Sequence, residues 1–194
     1  MIKGILGNMV LIELEKETED SHVMSNGVEI FIDTALERMW HARQYGTVKH
    51  ISPKLHKRVE DNIKLKKGDK VYFHHFVIDS PLELEGEKLY KADINQIYAI
   101  DKGDSIQMLQ DYILVEPSTN EDELVTKSGI ITGKKEWIGN QGVVKYINQF
   151  TEKVIDLHIG DKIVFQKNAN YKIKVQGEDL YRMRDYDALC VIGR

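Results

Sequence analysis

Four short blocks of this chain occur twice, in the same order, and that repetition limits the possible folds more than any other feature of the sequence. Val10-Leu11-Ile12-Glu13 returns as Ile113-Leu114-Val115-Glu116. Gln44-Tyr45-Gly46-Thr47-Val48-Lys49-His50-Ile51 returns as Asn140-Gln141-Gly142-Val143-Val144-Lys145-Tyr146-Ile147. Leu65-Lys66-Lys67-Gly68-Asp69-Lys70-Val71-Tyr72-Phe73 matches Leu157-His158-Ile159-Gly160-Asp161-Lys162-Ile163-Val164-Phe165, with a Gly-Asp pair at the same place in each. Leu84-Glu85-Gly86-Glu87-Lys88-Leu89-Tyr90 matches Val175-Gln176-Gly177-Glu178-Asp179-Leu180-Tyr181, and Tyr98-Ala99-Ile100 and Cys190-Val191-Ile192 follow as closing strands. The spacing between copies shrinks from 103 residues (Val10 to Ile113) to 96 (Gly46 to Gly142) and 92 (Gly68 to Gly160). The first half therefore carries the longer insertions, between Glu13 and Gly46 and between Ile51 and Leu65.

The repeated blocks are short, rich in Val, Ile, Tyr and Phe, and separated by Gly, Asp and Asn, which is a pattern of strands and turns. The expectation is an all-β chain of two tandem small β-barrels, residues 1–102 and 103–194, because closure into barrels removes exposed strand edges. The junction falls at the polar stretch Asp101-Lys102-Gly103-Asp104. Two segments break the strand pattern, both in the first half. Ala35 to Arg43 places Leu36, Met39 and Trp40 on one helical face behind Asp33 or Thr34 as N-cap, which predicts a short helix. Ser52-Pro53 followed by apolar residues every four positions to Ile63 reads either as a helix or as an irregular flap.

Composition excludes several classes of function. Of the 194 residues, 27 are Lys or Arg and 31 Asp or Glu, a formal net charge of −4, which argues against a nucleic-acid partner. The basic run Lys54, His56, Lys57 and Arg58 reads as a solvated face. No apolar stretch approaches the ~20 residues that cross a bilayer, so no membrane association is expected. Met9 to Glu15 alternates like a strand rather than a signal segment. A single cysteine, Cys190, allows neither an intrachain disulfide nor a cysteine-based zinc site and suits a reducing cytoplasm. Its neighbours Ala188, Leu189, Val191 and Ile192 predict a buried thiol.

Motifs of chemistry fail one by one. His74 and His75, read as neighbours on a strand, point to opposite faces and cannot share a metal ion. Gly129 to Lys135 resembles a phosphate loop but has three residues between its glycines instead of four, and Lys135 stands where Ser or Thr is needed. There is no Gly-x-Ser-x-Gly elbow and no Gly-x-Gly-x-x-Gly fingerprint. The chain is expected not to be an enzyme and to need no cofactor or metal.

Taken together, the opening Val-Leu-Ile-Glu strand, the Gly-x-Val-x-x-Ile block, the Gly-Asp-x-Val-x-Phe block, the Gly-Glu-x-Leu-Tyr hairpin and the closing strand make each half resemble a GroES-type co-chaperonin subunit. The second half matches best: Thr126-Lys127-Ser128-Gly129-Ile130-Ile131-Thr132-Gly133 is similar to the mobile loop with which that family grips its chaperonin. The resemblance implies irregular β-barrels assembled into a ring that caps a GroEL-type chaperonin, with ATP or ADP bound to the partner and no chemistry in the lid itself. It assigns chaperonin docking to Gly129, Ile130, Ile131 and Thr132. In the first half Gly27 leads into either Val28-Glu29-Ile30 or Ile30-Phe31-Ile32, and a glutamate in an apolar groove is costly if unpaired. That loop has either lost chaperonin binding or been retuned. Homo-oligomeric contacts are expected at Val10, Leu11 and Ile12 on one side and at Tyr98, Ala99, Ile100, Cys190, Val191 and Ile192 on the other. The segment from Ser52 to Leu65 corresponds to the family's roof hairpin, for which the second half has only Asn148 to Asp156.

The second loop has its own physical logic. Asn120 to Gly129 is too polar to hold a packed conformation, yet it ends in two isoleucines. Burying each yields about 1.5 to 3 kcal/mol, while ordering the backbone costs about 1 to 2 kcal/mol per residue. One loop binds weakly; several on one ring bind together at high effective concentration. The family's rings have an odd number of positions, which chains of two barrels fill only as a two-tier ring or replace by an even-numbered pseudo-ring. The rival reading is a structural or adaptor oligomer, of the kind a virus carries, that kept the barrel and lost the chaperonin. Zinc alcohol dehydrogenases also contain a GroES-like barrel, but they need cysteine ligands and a dinucleotide-binding domain, which this chain lacks.

Overall fold

The computed structural model describes residues 5–17, 21–23, 29–31, 42–53, 65–119 and 137–193. The chain divides into two compact units, Met1–Leu109 and Gln110–Arg194. In the first unit β1 (Met9–Glu13), β4 (Tyr45–Ile51), β5 (Lys70–Phe73), β6 (Pro81–Leu84), β7 (Glu87–Asp93), β8 (Ile97–Asp101) and β9 (Ile106–Met108) form a seven-stranded antiparallel sheet in the order β6-β7-β1-β4-β5-β8-β9. A separate hairpin joins β2 (Ser21–Val23) to β3 (Glu29–Phe31).

In the second unit β10 (Tyr112–Thr119), β11 (Trp137–Tyr146), β12 (Lys162–Phe165), β13 (Tyr171–Val175), β14 (Glu178–Arg184) and β15 (Ala188–Gly193) form an antiparallel sheet in the order β13-β14-β10-β11-β12-β15. Strand for strand this is the order of the first six strands of the other sheet.

The likeness reaches single hydrogen bonds. Gly68 and Gly160 turn the chain into β5 and β12 at φ of 90° and 95°, a conformation that favours glycine. The Gly68 N–H donates to the Val48 carbonyl at 2.8 Å and the Val48 N–H to that of Asp69 at 2.9 Å; Gly160, Val144 and Asp161 repeat both bonds at the same distances. The Asp69 carboxylate accepts from the Lys66 N–H at 2.7 Å, and that of Asp161 from the His158 N–H at 3.0 Å. Gly46 and Gly142 sit where the opening strand presses closest. A Cβ at Gly46 would lie 2.7 Å from the Glu13 carbonyl oxygen, and one at Gly142 2.5 Å from that of Glu116.

Both cores follow from the strand pattern. Val10, Ile12, Val48, Leu65, Val71, Phe73 and Tyr90 pack together in the first unit, with Ile97, Ile100 and Leu109 among their neighbours. Ile113, Val115, Val144, Leu157, Ile163, Phe165 and Tyr181 pack in the second.

Two details depart from expectation. The stretch Asp101-Lys102-Gly103-Asp104 is a tight hairpin turn from β8 into β9, in which the Lys102 N–H donates to Ser105 at 2.9 Å and the Gly103 N–H to the Asp101 carboxylate at 2.8 Å. A helix appears in the second half, where the sequence pointed to none: α1 (Gln149–Ile155), capped by the Asn148 side chain accepting from the Thr151 N–H at 2.8 Å and ended by Asp156 in the left-handed region. Its apolar residues Phe150 and Val154 are exposed and only Thr151 is buried, so the usual apolar-face signal is inverted. The helix expected from Ala35 to Arg43, and the helix or irregular flap expected from Ser52 to Ile63, lie largely outside the described residues.

Candidate functional site

Each sheet carries a long excursion between its opening strand and the next. In the second unit the excursion leaves at the end of β10 and returns at the start of β11, and the pairing of Thr119 with Trp137 closes its base. Gly129, Ile130, Ile131 and Thr132 belong to that excursion and lie outside the described residues. In the first unit the excursion contains the β2–β3 hairpin, paired Ser21 to Phe31, His22 to Ile30 and Val23 to Glu29. Ile30 and Phe31 therefore lie on a strand; Gly27, Val28 and Ile32 are outside the described residues.

The base of the first excursion is clipped to its own sheet. The Arg43 N–H donates to the Glu17 carbonyl at 2.8 Å, and the Arg43 guanidinium pairs with Glu15 at 3.2 Å. The Glu17 carboxylate accepts from the Tyr90 hydroxyl at 2.5 Å and pairs with Lys88. The bond from Glu17 holds the Lys88 ammonium above its ordinary pKa, and burial followed by the Glu17 bond raises the Tyr90 phenol. Lys49 is raised in the same way by Glu13, 2.8 Å away, and Lys145 by its pairing with Glu178. These are exposed ion pairs that pin loop bases, and no acid–base pair with diverging pKa values emerges among them.

The candidate contact strands differ sharply. Val10, Leu11 and Ile12 are buried, and β1 is paired on both edges within its own sheet, by β4 and β7. Tyr98, Ala99 and Ile100 are wholly buried beneath β9. Cys190, Val191 and Ile192 lie on β15, which ends its sheet, and all three are exposed. The thiol expected to be buried is thus at the surface. Apolar neighbours along a strand bury a side chain only when another layer or strand covers it, and β15 has no strand on its outer side among the described residues.

His74 and His75 also differ from expectation. The chain leaves β5 before them: His74 caps a short 3₁₀ helix, His75–Asp79, its Nδ1 accepting from the Phe76 N–H at 3.3 Å. The two rings come together, with centroids 4.2 Å apart, instead of pointing to opposite faces. No group of three His, Cys, Asp or Glu side chains able to hold a metal occurs among the described residues, and no described helix is long and apolar enough to cross a membrane.

Comparison with known proteins locates this architecture. The family described as Chaperonin 10 Kd subunit matches residues 105–192. The co-chaperonin GroES of Francisella philomiragia is 33% identical over 96 residues, which cover 46% of this chain and 99% of that protein. Those of Geobacter metallireducens and Coprothermobacter proteolyticus are 43% and 32% identical over 94 and 95 residues, 45% of this chain in each case and 97% and 95% of theirs. Nearly a whole relative is accommodated in about half of this chain. The chain belongs to the chaperonin 10, or co-chaperonin GroES, family.

Proposed function

We propose that the protein is a tandem co-chaperonin: two GroES-like barrels, residues 1–102 and 103–194, that assemble with further copies into a ring-shaped lid on a GroEL-type chaperonin and assist ATP-dependent folding in the cytoplasm. Members of this family are chaperones and not enzymes, and nothing in the reading requires chemistry from the lid. The observation that carries it is the shared strand order of the two sheets, down to the turn bonds of Gly68 and Gly160, in a chain of which about half spans a complete GroES relative. Docking is assigned to Gly129, Ile130, Ile131 and Thr132, whose excursion springs from the Thr119–Trp137 base. Nucleotide is bound by the chaperonin.

The first excursion favours a second role for the first barrel. Its Ile30 and Phe31 lie in the β2–β3 hairpin, already paired with His22 and Ser21, and a glutamate at 29 is costly in an apolar groove. Gly27, Val28, Ile30, Phe31 and Ile32 therefore form the weaker of the two grips. The test is capture by a GroEL-type chaperonin with ATP or ADP present. The intact chain is retained, Ile131→Asp reduces retention at least about tenfold, the result of losing roughly one buried isoleucine per loop across several loops, and Ile30→Asp reduces it less. Undiminished capture of Ile131→Asp overturns the docking assignment and leaves the structural or adaptor oligomer as the better reading.

A further inference from the structure

Both units turn the chain in the same way after β5 and β12, and they hold the turn by different means. In the first, the His74 N–H donates to the Gln96 carbonyl at 2.8 Å and the Val77 N–H to that of His74 at 2.9 Å. In the second, the Gln166 N–H donates to the Asp187 carbonyl at 2.8 Å and the Ala169 N–H to that of Gln166 at 3.1 Å. His74 thus corresponds to Gln166, His75 to Lys167, Phe76 to Asn168 and Val77 to Ala169. Asn168 sits in the left-handed region at φ 72°, which asparagine tolerates and a bulky ring does not. Phe76 stands at that place in the first unit, and there the chain runs on as the 3₁₀ helix His75–Asp79.

A helix of this kind begins with N–H groups that have no partner inside it. His74 supplies one, its Nδ1 accepting from the Phe76 N–H at 3.3 Å. The same imidazole lies 4.2 Å from the His75 ring, 4.7 Å from that of Phe76 and 6.1 Å from that of Tyr98, centroid to centroid. The far side of the helix is anchored separately, because Val77 and Ile78 are buried. The Gln166 side chain is turned elsewhere, its amide donating to the Tyr186 carbonyl at 3.5 Å.

An imidazole accepts at Nδ1 only while it is neutral and carries its proton on Nε2. Once protonated, both nitrogens are donors, and Nδ1–H faces the Phe76 N–H. A charge on His74 also lies beside the His75 ring, where it opposes a second charge. We propose that His74 is a proton-operated cap, found in the first unit alone. Neutral, it holds the start of the His75–Asp79 helix with the His75 and Phe76 rings against it; protonated, it releases them. Protons bind the released form better than the capped form, so the cap is held at higher pH and lost as pH falls through the ordinary imidazole range, near ~6.5. The other titratable and charged groups come from three elements. Its own helix brings His75 and Asp79, and β8 brings the Tyr98 phenol. The half of β7 beside the helix, where the Lys91 N–H donates to the Ser80 carbonyl at 3.1 Å, brings Tyr90, Lys91 and Asp93. Imidazole is the one side-chain type among these whose ordinary value falls between about pH 5 and 8, so His75 is the rival for the assignment.

The test needs no chaperonin and stands apart from the docking assignment. In nitrogen-15 spectra of the full chain at neutral pH, His74 carries its proton on Nε2 and Nδ1 is bare. From about pH 7.5 to about 5.5, exchange of the Phe76 amide, corrected for the intrinsic rate at each pH, speeds up at least about fivefold, the loss of one ordinary hydrogen bond. The Ala169 amide, in the matching turn of the second unit, does not change. His74→Gln, which places in the first turn the residue that the second turn carries, abolishes the pH response, and His75→Gln keeps it. The inference is overturned if His74 carries its proton on Nδ1 at neutral pH, if the corrected Phe76 exchange does not respond to pH, or if the response survives His74→Gln.

Discussion

The two closing strands β8 and β15 hold the same place in their sheets, each paired with the strand that follows a Gly-Asp turn, and yet one is the most buried strand of its unit and the other the most exposed. Their own sequences do not account for this: Ile97-Tyr98-Ala99-Ile100 and Ala188-Leu189-Cys190-Val191 are comparably apolar. The difference lies in what the chain does next. After β8 it turns at Gly103 and comes back as β9, whereas among the described residues no strand lies on the outer side of β15. Burial at a sheet edge is a property of the assembly that completes it, which is why an apolar edge in one half of a molecule points to a contact when the matching edge in the other half is already covered.

The sharpest way to break the comparison is at Leu109, buried in the first core, and Leu6, 103 residues before it and exposed. Leu109→Ala empties a site in the first core and lowers the stability of that unit by about 2 to 5 kcal/mol. Leu6→Ala leaves the unfolding of an isolated chain unchanged, because an exposed side chain has no cavity to create. Equal effects in denaturant titrations would remove the asymmetry. The close glycines should behave alike in both halves: Gly46→Ala and Gly142→Ala each force a methyl against a backbone oxygen and cost about 1 to 3 kcal/mol. A large effect at one and none at the other would mean that the opening strands are not seated equivalently.

Thiol accessibility sharpens the same point. Cys190 in dilute protein reacts with a thiol reagent without unfolding, whereas a cysteine placed by Ala99→Cys reacts only when the first unit opens. The smallest effect is at the tyrosines. Tyr90 donates to the Glu17 carboxylate, so Tyr90→Phe costs about 1 kcal/mol. Tyr181, whose side chain is bonded to the neutral amide of Asn170, costs less when changed to Phe. Burial holds the folded Tyr90 phenol above its ordinary value of 10.0, so the neutral form is favoured by folding. The associated stability is present below that pH and is lost as pH rises through the folded value. In Tyr90→Phe this alkaline loss is shallower.

Much of the architecture was legible because it depends on local chemistry. The Gly-Asp pairs at 68–69 and 160–161 announced turns into strands, the glycines at 46 and 142 marked tight approaches, and the alternating apolar residues of β1 and β10 became the two cores. Features set by long-range partners were not legible. Cys190 sits in a run as apolar as any core strand, and it is exposed because, among the described residues, no strand covers the outer edge of β15. Helix α1 escaped notice because its apolar residues face outward and its burial rests on Thr151, held by the Asn148 cap. His74 and His75 were read as strand residues because β5 precedes them, but the chain turns into a 3₁₀ helix there and stacks the two rings. Of the candidate grip, the sequence supplies the isoleucines and the structure supplies the pairing of Thr119 with Trp137 at the base of the excursion to which they belong.

The central claim is that the two isoleucines at 130 and 131 hold a chaperonin. It is tested most directly by measuring nucleotide-dependent retention of the intact chain and of Ile131→Asp on an immobilised GroEL-type chaperonin, at matched oligomeric mass. The account predicts strong retention of the unmodified chain with nucleotide and a loss of at least about tenfold in the variant. Equal retention of the two, or no retention of the unmodified chain by any GroEL-type chaperonin with which it is found, would contradict it.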